Sequence, residues 1–240
     1  MDNRRVLLFC AWCAPVLIVL LGVGIFPVAG LVPPPSPSDT AETIQHLFSA
    51  NAGAIRIGMV MVMVGSAGFI PWTIGLGHQL KQPGRDSSIA THIQTASGVI
   101  ACLVGINFSM ITSLAAFRPD DIAPETTRML DDWMWFWWLI PWPPFMVWCV
   151  LVGVLILKDA NAVPVFPRWT GYLSIWAAVC YTPGSLATFF KSGALAYDGI
   201  IVWYIPTIVF FIWMLIMTAY MLRGVNRVPA AAVPVEAAVG

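Results

Sequence analysis

The residues of this chain best suited to chemistry crowd into positions 129–148, "MLDDWMWFWWLIPWPPFMVW". Asp131 and Asp132 open this stretch, which is otherwise uncharged and carries six tryptophans and three prolines. Asp131, Trp135, Trp138 and Trp142 follow one another at helical spacing and share one face. That face runs from a carboxylate down an indole wall to the break at Pro141, Pro143 and Pro144. A carboxylate beside apolar indoles suits acid–base work on a lipophilic substrate. Asp131 and Asp132 would divide the roles of acid and base, with Asp198 or Lys191 as a second partner. Neighbours on a helix point about 100° apart, so the two carboxylates do not act together on one atom. Arg128 stands one turn before Asp132, where it can neutralise it.

The same residues also suit a ligand pocket, apolar and aromatic within and polar at its mouth. Trp135, Trp138 and Trp142 then form the wall, and Tyr181, Tyr197, Trp203 and Tyr204 add further walls and hydroxyls. Arg56, Lys191 and Asp198 supply charge at the rim. A plainer account also fits, because tryptophan enriches at membrane interfaces and acids outside a span are ordinary solvated groups.

The elements that hold these residues follow from composition. Of 240 residues, 59% are hydrophobic and only 10% are charged, with a mean hydropathy of +0.80. Soluble domains carry about 25% charged residues, so this chain cannot cover a water-facing surface. It reads as an all-α polytopic membrane protein. The formal net charge is zero, which argues against a nucleic-acid partner.

Runs free of Asp, Glu, Lys and Arg place six transmembrane helices near 6–29, 55–77, 94–117, 132–157, 168–190 and 199–222. They form a single domain over residues 1–227, followed by a low-complexity tail, 228–240, expected to be disordered. The opening "MDNRR" resembles the start of a signal peptide, but the apolar run outlasts such a segment and reads as a retained helix. With the N-terminus inside, the cytoplasmic side carries Arg4, Arg5, Lys81, Arg85, Lys158, Arg168, Arg223 and Arg227. The outer side carries Arg56, Arg118, Arg128 and Lys191. This bias puts both termini in the cytoplasm and the protein in the inner membrane as a multi-pass bundle.

After the first span, Asp39 and Glu42 read as a capping box. Ile44, Leu47 and Phe48 give the short helix at about 40–49 an apolar face suited to the outer membrane surface. Prolines in five spans (Pro15, Pro71, Pro141, Pro183 and Pro206 among them) predict kinked helices around a cavity. The third span carries Ser97, Ala101, Gly105, Ser109 and Ser113, a small-residue stripe for close packing at the bundle centre. Asn107 is expected to make an interhelical hydrogen bond. Arg56 precedes Pro71 by the interval at which Arg168 precedes Pro183, with Gly58 and Gly171 shortly after each arginine. Such matches hint at two inverted three-span halves.

Other chemistry finds little support. Cys10 and Cys13 have a redox spacing, but they lie in an apolar helix without a nearby charge to activate a thiol. His46 falls on the opposite side from His78 and His92, so no metal site is expected. No nucleotide loop, serine elbow or zinc-protease helix is present, and no cofactor is expected. The sequence therefore predicts a membrane protein that binds or transports an apolar or amphipathic small molecule through a Trp-lined pocket facing the outer leaflet. A membrane-embedded enzyme and an accessory subunit of a membrane complex are the alternatives. The partners expected are lipids, that small molecule, and a second copy or a larger membrane assembly.

Overall fold

The computed structural model describes residues 3–81, 88–161 and 163–227. The tail at 228–240 and Arg85 lie outside the described residues. Among the described residues every regular element is helical. The helices are α1 (Asn3–Val23), α2 (Ala41–Ser66), α3 (Phe69–Gln79), α4 (Ser88–Ala115), α5 (Pro124–Leu139), α6 (Trp142–Leu157), α7 (Arg168–Tyr181) and α8 (Ile205–Arg227). A π-helical turn, Gly24–Val28, extends α1, and another, Ile200–Tyr204, leads into α8. A 3-10 segment, Thr182–Thr188, follows α7.

Five stretches are long and apolar enough to cross a membrane: Asn3–Val28, Ala41–Gln79, Ile89–Ala115, Pro124–Leu157 and Gly193–Asn226. Their outward faces agree with that reading. Phe9, Trp12, Val16 and Val19 on α1, and Ile205, Ile208, Ile212 and Leu215 on α8, are exposed at helical intervals. Water would not tolerate such stripes, whereas acyl chains do. The chain is a multi-pass membrane protein.

α4 lies at the centre, packed against α2, α3, α5 and α6. Of its apolar stretch 56% is buried, against 28% for the first span. Ser97, Ala101, Gly105 and Ser109 on its small-residue stripe are all buried. At Gly105 an added methyl would collide with Ser66 of α2. Neighbours then close a cycle, α6 with α7, α7 with α8, and α8 with α1.

Three tryptophans tie this cycle together. Trp72 on α3, Trp148 on α6 and Trp213 on α8 meet edge to face, with ring centroids 5.5 to 5.7 Å apart. Each such pair contributes about 1 kcal/mol beyond the area it buries. Each indole N–H also finds an acceptor on a neighbouring element. Trp72 donates to Thr218 Oγ1 at 2.8 Å, Trp148 to Gln94 Oε1 at 3.0 Å and Trp213 to Ser174 Oγ at 2.9 Å. Because a buried indole N–H without a partner is costly, these bonds fix how α4, α7 and α8 sit around the cluster.

Several boundaries differ from the sequence reading. The segment at 40–49 is not a separate surface helix but the first turns of α2, with Ile44 and Phe48 buried in the core. No glycine–proline break follows it, so the helix simply continues. Thr40, rather than Asp39, caps α2 by accepting from the Thr43 N–H at 3.3 Å, while Asp39 accepts from the Ser36 N–H. α5 starts at Pro124, eight residues before the predicted span, because its first two turns are too polar to register as membrane-spanning. The helical stretch from 168 divides into the 14 residues of α7 and the seven of the 3-10 segment, so it does not appear among the long apolar helices. Asn107 Oδ1 has no hydrogen-bond partner among the described residues, contrary to the expected interhelical bond.

Candidate functional site

The face of α5 defined by Asp131, Trp135 and Trp138 turns into the protein. Asp131 is fully buried and Trp135 is 1% exposed. Trp135 stacks on Tyr197 and meets Phe108 of α4 and Trp203 edge-on. Phe108 in turn packs on Trp138 with ring centroids 4.9 Å apart. The face is held inward by aromatic contacts from α4 on one side and the approach to α8 on the other. Trp133, on the opposite side of the helix, is 52% exposed.

Below Trp135 the wall opens onto an apolar chamber of about 80 Å³. Trp138, Trp142, Tyr181 and Phe210 line it, together with Leu21, Phe69 and Ala101 from the first three spans. The wall is thus drawn from every α-helix but α2. Much of it stands where regular helix stops. α5 ends at Leu139 and α6 starts at Trp142, α7 ends at Tyr181, and Phe69 opens α3. Pro141 has no amide hydrogen to continue the ladder, and the chain passes it with the Trp142 N–H bonded to Ile140 O at 2.7 Å.

Above lies a second compartment of about 550 Å³, a charged vestibule. Asp132, Arg128, Lys191 and Tyr197 supply its polar groups, and Trp133 and Phe136 its apolar ones. The two compartments follow one another along the same two walls. On α5, Phe136 of the vestibule is one turn from Leu139 of the chamber, and on the 3-10 segment Ala187 is one turn from Gly184.

Residues 13–224 match the family model described as "Domain of unknown function (DUF4386)". The chain belongs to the DUF4386 family. No curated protein and no solved structure matches it.

In this DUF4386 chain the structure brings some of the sequence-predicted residues together and separates others. Trp138, Trp142 and Tyr181 share the chamber, and Asp132 and Lys191 share the vestibule. Trp135 and Trp203 pack against each other beside Asp131, and Tyr204 packs on Trp203. Asp198 is half-buried next to Tyr197 and lines neither compartment. Arg56 stands apart, exposed, with its Nε–H donating to Ala52 O on its own helix at 3.1 Å. Asp131 borders neither cavity directly; the Tyr197 hydroxyl donates to its Oδ2 at 3.5 Å, and the Trp135 side chain also lies within its reach. Among the described residues no group of three or more His, Cys, Asp or Glu side chains gathers to hold a metal.

Sequence reasoning missed Phe210, Phe145 and Gly184 in the chamber, whereas Tyr197, expected as a wall hydroxyl, lines the vestibule. Phe145 and Phe210 are ordinary apolar residues of apolar helices and offered no signal.

Proposed function

We propose that this protein binds and transports an amphipathic small molecule across the inner membrane. The polar end of the molecule rests in the vestibule among Arg128, Asp132 and Lys191. Its apolar end enters the chamber between Trp138, Trp142 and Phe210. The observation that carries this reading is the tandem placement of a charged compartment and an aromatic one along α5. A chamber of about 80 Å³ is well below the ~300 Å³ of a pocket for a whole drug-sized ligand. It suits the end of a slender chain.

Transport, rather than binding alone, is supported by where the helices are interrupted. Carriers commonly place substrate at discontinuous helices between two inverted repeats. Here the chamber wall draws on residues at such interruptions, at Phe69, Leu139, Trp142 and Gly184. In the first half a methyl added at Gly24 would meet Gly58 O at 2.6 Å, and one at Gly58 would strike Gly24 O. In the second half a methyl at Gly153 would meet Gly171 O at 2.8 Å, and one at Gly171 would meet Gly153 O at 3.1 Å. Both pairs join the first and second spans of a three-span half, as a repeat requires.

A sixth crossing completes that repeat. At ~1.5 Å per residue α7 measures about 21 Å, and at ~2 Å per residue the 3-10 segment adds about 14 Å. Together they match the ~30 Å of a bilayer core. Trp169, Tyr172, Trp176 and Val179 give α7 an exposed apolar stripe like those of the other spans. Six crossings leave both termini on the cytoplasmic side, as the basic residues suggest.

The enzyme reading has less behind it, because a substrate in the vestibule meets Asp132 but not Asp131, the carboxylate that would share acid and base roles with it. Native mass spectrometry of the purified protein tests the proposal. A lipid-like adduct retained by wild type and lost in Ala101→Leu, which narrows the chamber, supports it. A bare wild-type protein that also takes up no added alkyl amphiphile overturns it.

A further inference from the structure

Asp131 serves neither compartment, yet among the described residues it is the one fully buried carboxylate. Its Oδ1 has no hydrogen-bond partner among the described residues. Among the described residues Thr127 Oγ1, one turn before it, is also buried without a partner, and Trp135 Nε1, one turn after, lies near the carboxylate without reaching hydrogen-bond geometry. The three side chains share a face of α5. So many unmet polar atoms on one enclosed face are costly unless something polar visits them.

Among the described residues one side chain joins this carboxylate to the vestibule. Tyr197 is 2% exposed, stacks on Trp135 and donates its hydroxyl to Asp131 Oδ2 at 3.5 Å. It also lines the vestibule beside Asp132, Arg128 and Lys191. The charged and titratable groups that act on Asp131 are Asp132 on its own helix, Tyr197 from the approach to α8, and Asp39 from the loop before α2. α4 presents Phe108 to Trp135 and Thr112 to Met134, and neither titrates. The buried side chains of α2 over its first four turns are apolar. The group has a neutral hydroxyl for a partner, acids for charged neighbours, and the charged vestibule on the far side of that hydroxyl.

We propose that Asp131 is a proton-binding site loaded from the vestibule through the Tyr197 hydroxyl, so that a proton is a second ligand of this protein. In the loading step the Tyr197 O–H bond breaks and its proton passes to Asp131 Oδ2. The phenol oxygen takes a replacement proton from a hydronium ion in the vestibule, which leaves as water. Discharge is the reverse. Transfer needs the 3.5 Å pair to close to about 2.7 Å, a movement of under an ångström for a tyrosine on the short turn before α8. The site stands whether or not the chamber holds an amphiphile.

pH-difference infrared spectroscopy on the full-length protein in lipid nanodiscs tests it. Wild type is expected to show the carbonyl stretch of a buried carboxylic acid appearing on acidification. Asp131→Asn loses this band, Asp132→Asn keeps it, and Asp131→Glu moves its frequency. Tyr197→Phe keeps the band but forms it at least tenfold more slowly after a pH jump. A wild type without the band, or a folded Asp131→Asn or Asp131→Glu with the unaltered band, overturns the site. Wild-type kinetics in Tyr197→Phe overturn the route.

Discussion

Asp131 and Trp138 lie on one face of α5, seven residues apart, yet they serve different surroundings. The carboxylate is enclosed and accepts from the Tyr197 hydroxyl, while the indole forms the wall of the apolar chamber. Between them Trp135 fills the space, stacked on Tyr197 and packed against Phe108, which itself packs on Trp138. The face is continuous in aromatic contact although its two ends differ in polarity.

The glycine contacts give a stability prediction with its own control. Gly58→Ala puts a methyl against Gly24 O and Ala29 Cβ, and overpacking of this kind costs about 1–3 kcal/mol. Gly53→Ala, on the same helix, meets nothing within 4 Å and should gain about 0.5–1 kcal/mol from helix propensity. Thermal unfolding in one detergent should rank Gly53→Ala at or above wild type and Gly58→Ala below it.

The Trp148–Gln94 bond gives a second. Gln94 also donates to Thr73 O and Thr95 Oγ1, at 3.2 and 2.8 Å. Gln94→Leu leaves the Trp148 N–H buried without an acceptor and should cost about 1–3 kcal/mol. Adding Trp148→Phe removes that orphaned donor, so the double variant should lose less than the sum of the singles. Strict additivity in thermal unfolding would show that the bond does not couple them.

How much of this was legible in the sequence follows from what each signal measures. The 4–3–4 spacing of Asp131, Trp135, Trp138 and Trp142 reads a helix face directly, and low charge identifies a membrane protein. Hydropathy, however, sees only apolar runs. It missed the first two turns of α5, where Thr127 and Asp131 are buried by tertiary contacts rather than by their own apolarity. It likewise cut α2 at an amphipathic stretch that the fold absorbs. Trp72, Trp148 and Trp213 meet from three distant helices, and no local pattern reports such a meeting. Gln94, a polar side chain at the start of an apolar span, was the visible half of that cluster.

The rim charges give a third prediction. Lys191→Ala and Asp132→Asn alter the vestibule and should change affinity for charged-headed alkyl amphiphiles in opposite senses, by roughly two- to tenfold, on the order of 1 kcal/mol. Arg56→Ala, an exposed side chain bonded to its own helix, should change nothing. Titration of the purified variants with alkyl sulfates and alkyl trimethylammonium ions reads the difference. Equal shifts for both head groups would remove the vestibule from recognition.

Photolabelling tests the inward-facing chamber most directly. An amphiphile carrying a diazirine near the end of its chain is bound to the protein in nanodiscs, irradiated, and its attachment points mapped by peptide sequencing. Labels on Trp138, Trp142, Phe145 and Phe210, competed away by excess unlabelled amphiphile, are the predicted result. Labels confined to outward stripes such as Val60, Val64, Ile208 and Ile212, unaffected by competitor, would contradict it.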